Sequence, residues 1–544
     1  MKRILLIILL STLLPLSVFG QQEEAELILL NGKVFTADPT KPSAEAIAIR
    51  GERIIAVGTS NEIEKLAGTT IRRIDLQGRT VVPGFNDAHF HFKSDPTGFT
   101  LHFQTMEPSW TEVSAALEQA VRQTMPGTWI FGSVGHEIVL NPEVTRFALD
   151  RIAPHHPVLL RAYYGHGYIL NSKAMPLLQM GEEEPDPAGG YYERSAGSRQ
   201  INGRFWEYAE FKPNRILANQ VTDEAALKAL GQLADEAVRY GITSMQVMSF
   251  MSVDRFARLL VKADVAMRVR AIPLSLTTPQ GRDLSEIRQL SSLRFPQSKV
   301  TVSGIKWVLD GTPIERGAAV RQPYRDRPGW SGKLNFTESE IAAIVKESLD
   351  FNQQLLVHCA GDKPVEMLFN AMEGISAKSD WGQKRVRVEH GDGVIGNLIP
   401  RARRLGVIVV QNPSHFTLTK IMPSRYGLDL QFFPLRSLLE ARIPVAFGSD
   451  GPLNPYLNIM FAVLHPLRPT EALTREQAVE AYTRGSAFAE FAEDEKGTIS
   501  KGKLADVVVL SQDIFAVPVP DLPKTSSVLT IVGGKIVYDA NVLQ

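Results

Sequence analysis

The chain has 544 residues, too many for one ordinary core and suited to a large domain with a smaller companion. Hydrophobic residues make up 44%, and 59 Lys and Arg offset 59 Asp and Glu, so no basic surplus points to nucleic acid and no acidic excess suggests a solvating arm. The single cysteine, Cys359, excludes an intramolecular disulfide and a cysteine-rich zinc site, which leaves histidine and carboxylate as metal ligands.

Residues 1–20 read as an export signal. Lys2 and Arg3 give a positive start, residues 4–14 form a nearly unbroken apolar run, and small Val18 and Gly20 precede the polar Gln21-Gln22-Glu23-Glu24. The run is shorter than the ~20 residues of a spanning helix. An exported protein, periplasmic or secreted, with no stable membrane anchor is expected.

Residues 21–82 read as short strands with tight turns, among them Ala25-Glu26-Leu27-Ile28-Leu29-Leu30 before the hairpin pair Asn31-Gly32. The tail, 491–544, shows the same pattern, with Ala505-Asp506-Val507-Val508-Val509-Leu510 and then a strand running into Gly533-Gly534-Lys535. Both ends are expected to build one small β-sandwich domain, with residues 83–490 inserted into it.

That middle part alternates strands and helices, the pattern of a parallel α/β sheet. Eight apolar runs near 81–88, 242–248, 268–275, 300–309, 354–360, 386–390, 407–411 and 443–449 predict a TIM-like (β/α)8 barrel. Helices are expected over 224–239 and 338–349. The gap between the first two runs is too long for one helix, so residues 95–235 are expected to form an inserted subdomain that covers the barrel mouth.

Four of these runs end in a residue that can bind metal. The first ends in His89-Phe90-His91, the fifth in His358, the sixth in His390 and the eighth in Asp450. In a barrel all strand carboxyl ends share one face, where barrel enzymes do their chemistry. His89 and His91 point the same way because side chains alternate with period two. Imidazole and carboxylate suit zinc first, with manganese, iron, cobalt or nickel as alternatives. Lys306 lies inside the fourth run, in Ser303-Gly304-Ile305-Lys306-Trp307-Val308-Leu309-Asp310, where a barrel wall offers it no easy route to solvent. Burial lowers an amine's pKa, and a neutral amine reacts with carbon dioxide to give a carbamate, an anionic bridging ligand.

Taken together these residues resemble the amidohydrolase superfamily. Pro83-Gly84-Phe85-Asn86-Asp87-Ala88-His89-Phe90-His91 is similar to its strand-one signature. The branch containing N-substituted formamide deformylases is nearer still, through Gly165-His166, Asn171-Ser172-Lys173-Ala174-Met175, Asp310-Gly311-Thr312, His358-Cys359-Ala360-Gly361-Asp362, Gln411-Asn412-Pro413-Ser414-His415 and Gly448-Ser449-Asp450. The resemblance implies that His89 and His91 bind a buried metal and His358 and His390 an exposed one. Carboxylated Lys306 would bridge the two, and Asp450 would both ligate and carry protons. It implies a small-molecule substrate, two divalent ions and cleavage of an amide or cyclic-amide C–N bond by a metal-bridging hydroxide. His166, Asp310 and His415 are expected to meet the substrate. Cys359 and Ala360 after the strand-five histidine, and Gly391 and Gly451, depart from the family pattern without removing a ligand.

The other histidines, His102, His136, His155, His156 and His465, fall outside strand ends and read as ordinary structure. The run Arg321, Tyr324, Arg325, Arg327 reads as a solvated loop. A serine hydrolase lacks its G-x-S-x-G elbow, and His136-Glu137 is not followed by the histidine of a zincin. A non-catalytic binding or scaffold relative, a mononuclear deaminase, and a lactone or ester hydrolase on the same barrel remain as alternatives, and a homo-oligomer is left open.

Overall fold

A computed structural model describes residues 24–296, 298–375, 380–428 and 430–543. The expected export signal, residues 1–20, lies outside the described residues. Among those described, no helix is long and apolar enough to cross a membrane.

The molecule is mixed α/β. At its centre lie eight parallel strands: β1 (Phe85–Phe92), β2 (Ile242–Ser249), β3 (Arg268–Pro273), β4 (Ile305–Val308), β5 (Leu355–Cys359), β6 (Arg387–His390), β7 (Ile408–Gln411) and β8 (Val445–Phe447). Each overlaps one of the eight apolar runs, although residues 81–83 of the first run belong to the separate strand Thr80–Pro83. Nearly all their residues are buried, as befits parallel strands covered on both faces. Helices Asp223–Arg239 and Glu338–Asp350 stand where the 3.6-residue spacing places them.

The hydrogen-bonded ladders divide these strands into two sheets. One runs Val300–Val302, β3, β2, β1, and the other runs β4 to β8 in order. The fourth apolar run is broken at Gly304, whose φ of +81° is left-handed and whose missing Cβ would meet Arg270 and Leu356, each at 2.8 Å. Val300–Val302 thus pairs with β3, and Ile305–Val308 turns to β5. Several contacts join the sheets, two of them through the backbone next to the strand-end residues. Leu274 bridges Lys306 in parallel register, and the Asp450 amide donates to the His89 carbonyl at 3.0 Å.

The chain ends meet in a six-stranded sheet. Val507–Leu510 pairs antiparallel with Thr80–Pro83 on one side and with Ser527–Val532 on the other. A four-stranded sheet containing Ala25–Leu30 and Ala46–Arg50 shares an apolar core with it, in which Leu29 and Ile47 pack with Val507 and Ile531.

Between β1 and β2 a six-stranded mixed sheet is inserted, in the order Gly190–Arg194, Ile201–Glu207, Tyr168–Leu170, Val158–Ala162, Trp129–Val134, Gly98–Thr100. It packs on both faces, with one core around Leu117 and Ile130 and another around Tyr168 and Phe205. The expected end of the insertion, residue 235, falls inside the helix Asp223–Arg239, because that helix packs against β2 and the Ser527–Val532 strand.

Candidate metal centre

The strand-end residues converge. His89 lies in β1 under complete burial, and His91, a quarter exposed, follows on the same side; their Nε2 atoms lie 3.2 Å apart. The pairing of β1 with β2 shifts register at this point. The Asp450 carboxylate lies 3.8 Å from Nε2 of His89, 3.8 Å from that of His91, and 3.9 Å from those of His390 and His415. His358 stacks edge-on against His390 with ring centres 4.4 Å apart, and His390 lies 4.9 Å from His89.

Two backbone features aim these side chains. Alternation along β6 turns Glu389 inward, as its bond to His89 shows, and would send His390 outward. A left-handed backbone at His390, φ +65°, turns the ring to the cavity instead. Asp450 is left-handed too, φ +38°. Such backbone strain in non-glycine residues persists where surrounding structure enforces it, and it gathers at functional sites.

Burial sets the protonation states. It pushes the imidazoles of His89, His358 and His390 below their ordinary pKa and His91 down to about 3, so the rings are neutral and carry a free lone pair. Burial would raise the Asp450 carboxyl, but His89, His91, His415 and Lys306 outweigh it and hold the group below the carboxylate range. Burial brings the Lys306 amine down to about 8, and its Nζ has no hydrogen-bond partner among the described residues.

Beneath the cluster lies a carboxylate that no strand-end pattern marks. Glu389 Oε2 is 2.5 Å from His89 Nδ1, and Arg387 binds the other oxygen at 2.7 Å, with all three side chains fully buried. Arg387 also donates to the Ala88 carbonyl at 2.7 Å and to Gln246. Burial would raise the Glu389 carboxyl, but Arg387, Lys306 and His89 hold it well below the usual range. An ionised Glu389 accepts a hydrogen bond from Nδ1–H, so the His89 lone pair sits on Nε2, facing the cluster. Arg387 and Glu389 are legible as two charges on one face of an otherwise apolar strand.

The arrangement suits a divalent cation. His89, His91 and Asp450 form one set of ligand atoms within 4.8 Å of one another, and His390, His415 and Asp450 form a second. The 3.8–3.9 Å spacings are too long for hydrogen bonds. They lie within reach of two ligands that share a cation at ~2.0–2.2 Å each. His415, expected at the substrate, thus stands in the second set, in the place expected of His358. His358 Nε2 lies 3.3 Å from the Gly311 carbonyl.

The cluster opens into a cavity of about 820 Å³ whose wall includes His91, Lys306, His358, His390, His415 and Asp450. Apolar side chains, Phe211, Leu233, Phe250, Leu418, Leu457 and Phe461, make up much of the rest. His166, on the loop after Val158–Ala162, reaches this wall, and its ring lies 5.1 Å from that of His358. Burial would lower its pKa, but Glu207, then Glu315 and Glu210, raise it to about 10. Asp310 does not meet the cavity. It is fully buried, and its carboxylate accepts the amides of Ala319, Ala360 and Gly361 at 2.8–3.1 Å, tying the loop after β4 to that after β5. The basic run after β4 is likewise ordered: Tyr324 is buried and Arg321 pairs with Asp362 at 2.7 Å. His465 sits away from the cavity, with Nε2 2.9 Å from the Phe433 carbonyl.

A profile of the amidohydrolase family matches residues 72–538. An N-substituted formamide deformylase of Arthrobacter pascens is 26% identical, over 94% of this chain and 98% of its own. The protein LONG AFTER FAR-RED 3 of Arabidopsis thaliana is 25% identical, over 94% and 92%. The solved structure of an uncharacterized metal-dependent hydrolase from Pyrococcus horikoshii OT3 superposes with a TM-score of 0.70 at 21% identity, covering 91% of this chain and 99% of that one.

Proposed function

The chain belongs to the amidohydrolase family, and from that footing we propose that it is a metal-dependent hydrolase of carbon–nitrogen bonds in small molecules. The observation that carries the reading is the pair of ligand sets that share Asp450 at the carboxyl ends of the parallel strands. Supporting it are neutral imidazoles, an ionised carboxylate and a buried amine without a partner among the described residues, a donor set that fits divalent metal. In this reading the two parallel sheets close into one (β/α)8 barrel across the Leu274–Lys306 and His89–Asp450 seams. The end sheets form a β-sandwich beside it, residues 1–20 direct export, and the mature chain begins at Gln21.

His89, His91, His358, His390, His415 and Asp450 would hold metal, with Lys306, carboxylated on Nζ, as the bridging group. When bound, the metal supplies a Lewis acid and lowers the pKa of water toward about 7. Glu389 fixes the ring of His89. Asp450, ionised and a fifth exposed, takes a proton from the attacking water and returns it to the leaving nitrogen. The apolar wall fits an amide with an apolar substituent and keeps bulk water from the reacting atoms.

The test is hydrolysis by zinc-loaded protein of a panel of N-alkyl and N-aryl formamides, longer amides, cyclic amides and lactones. Turnover of a C–N substrate is expected, lost on chelation and regained with zinc. Turnover confined to lactones, or unaffected by chelation, contradicts the reading.

A further inference from the structure

Beside the metal ligands, the cavity wall carries a cation without a partner. Lys93 follows directly on β1, two residues past His91; it is exposed and borders the cavity. It has no hydrogen bond or ion pair among the described residues. The charges that act on it are those of Arg161, Asp450, Glu210 and Asp95. The three carboxylates among them are engaged elsewhere. Asp95 accepts from both terminal nitrogens of Arg161, at 2.5 and 2.6 Å. Glu210 accepts the Gly167 amide, and Asp450 stands among the metal-binding histidines. On the same cavity wall, the Asn214 side-chain carbonyl accepts the Tyr168 hydroxyl at 2.5 Å, which leaves the Asn214 amide nitrogen without a partner among the described residues.

Much of the remaining wall is apolar, with Phe211, Leu233, Phe250, Leu457 and Phe461 on the same cavity. A substrate that fills the cavity displaces the water around Lys93. A charge taken out of water without a partner is heavily penalised, whereas one met by an opposite charge and hydrogen bonds is not. An ammonium has three donors and no acceptor, so the partner must bring the lone pairs. Extended residues advance about 3.3 Å each, which sets the Lys93 Cα about 7 Å past that of His91. The partner therefore belongs near the reacting bond and not at the far end of a long substituent. Asp450, which returns the proton to the leaving nitrogen in the reading above, acts on Lys93 directly, so Lys93 stands on the side of that nitrogen.

We propose that Lys93 is a specificity-determining residue that binds a carboxylate of the substrate, carried on the carbon that bears the scissile nitrogen, with Asn214 as a second donor. The substrate class is then an acylated amino acid with an apolar side chain: the carboxylate meets Lys93 and the side chain lies against the apolar wall. The contact is the same in ground state and transition state, so its loss appears in KM more than in kcat. The proposal rests on the hydrolase reading above.

The test measures formate release by zinc-loaded protein from racemic N-formylphenylalanine, from its neutral isostere N-formylphenylalaninamide, and from N-phenethylformamide, which lacks the group altogether. Wild type, Lys93→Met, Lys93→Gln and Lys93→Arg are compared, with metal content and thermal midpoint measured on each. Wild type is expected to favour the acid over the isostere by about 10–10²-fold in kcat/KM, the range of a hydrogen bond between charged groups. Lys93→Met should abolish that preference, chiefly through KM, with metal content retained. Lys93→Arg, whose charge does not titrate, should keep about a third of it or more. Equal use of acid and isostere by wild type overturns the proposal, as does a Lys93→Met variant that keeps the preference or a Lys93→Arg variant no better than Lys93→Met. If Lys93→Met does not fold or loses metal, Lys93→Gln carries the comparison by the same criterion. Cleavage of N-phenethylformamide without cleavage of N-formylphenylalanine removes the carboxylate site alone and leaves the hydrolase reading standing. A metal-loaded wild type that cleaves none of the three, and nothing on the wider panel, removes both.

Discussion

Glu389 binds His89 from below, and that contact makes a prediction separable from catalysis. Glu389→Gln can still accept through its amide oxygen but no longer compels His89 to hold its proton on Nδ1. Outer-sphere partners of this kind are worth roughly 10–100-fold in metal affinity, and a loss in that range is expected by competition with a chromogenic chelator. Unchanged affinity would make the contact purely structural. Asp450→Asn separates binding from proton transfer: it keeps an oxygen but cannot take a proton. Its kcat should fall by about 10²–10⁴-fold, with metal content much less affected than in His89→Ala. Retention of more than about a tenth of wild-type turnover would contradict the shuttle role. The strand-end positions of His89, His91, His358, His390 and Asp450 are readable because each closes an apolar run. Glu389 is marked only as a charge paired with Arg387 on an apolar strand, and its role is hidden because its partner is 300 residues away. Asp310 misleads in a different way. The resemblance to the family implies a place at the substrate, whereas three backbone amides claim the carboxylate.

Two elements depend on close approach. At Gly448, just past β8, an added Cβ would collide with the Cβ and backbone of His89, so the two strands meet there only because no side chain intervenes. Asp87 secures the same seam by accepting the amides of His89 at 3.1 Å and Ser449 at 3.0 Å. Gly448→Ala should cost about 1–3 kcal/mol, as overpacking does, and reduce bound metal by displacing His89 or Asp450; denaturant unfolding and metal analysis check both. On the other side of the core, Glu490 binds Lys496 at 2.7 Å and accepts from Asn86 at 2.7 Å, almost wholly buried. Burial would raise the Glu490 carboxyl, but Lys496 outweighs it and the group is lowered. A lowered carboxyl stabilises the fold above its unfolded pKa, near 4.3, and loses that contribution as pH falls through the lower folded value. Glu490→Gln should therefore be destabilised most at neutral pH, by about 3–5 kcal/mol, and the gap to wild type should narrow below about pH 4. Unfolding curves between neutral and acid pH check the direction. At this scale the eight strands are readable from apolar runs, but the break at Gly304 is not, because the residues on both sides have strand character.

The whole molecule is tied together across its sequence. Thr80–Pro83 pairs with Val507–Leu510 and leads within two residues into β1, so the end sheet and the first ligand strand are continuous. Similar short strands at both ends make this pairing legible. The inserted sheet is legible only as a gap of the wrong length and composition. That it delivers Glu207 beside His166 depends on strand order, which no local pattern encodes. The histidines and Asp450 at the strand ends form the proposed metal site, and its metal content tests the account most directly. Protein purified under zinc should carry two ions per chain, the number expected of a bridged pair. His89→Ala should lose metal while keeping its secondary structure by circular dichroism. A wild-type protein that purifies and remains metal-free under zinc, or a His89→Ala variant with full metal content, would contradict it.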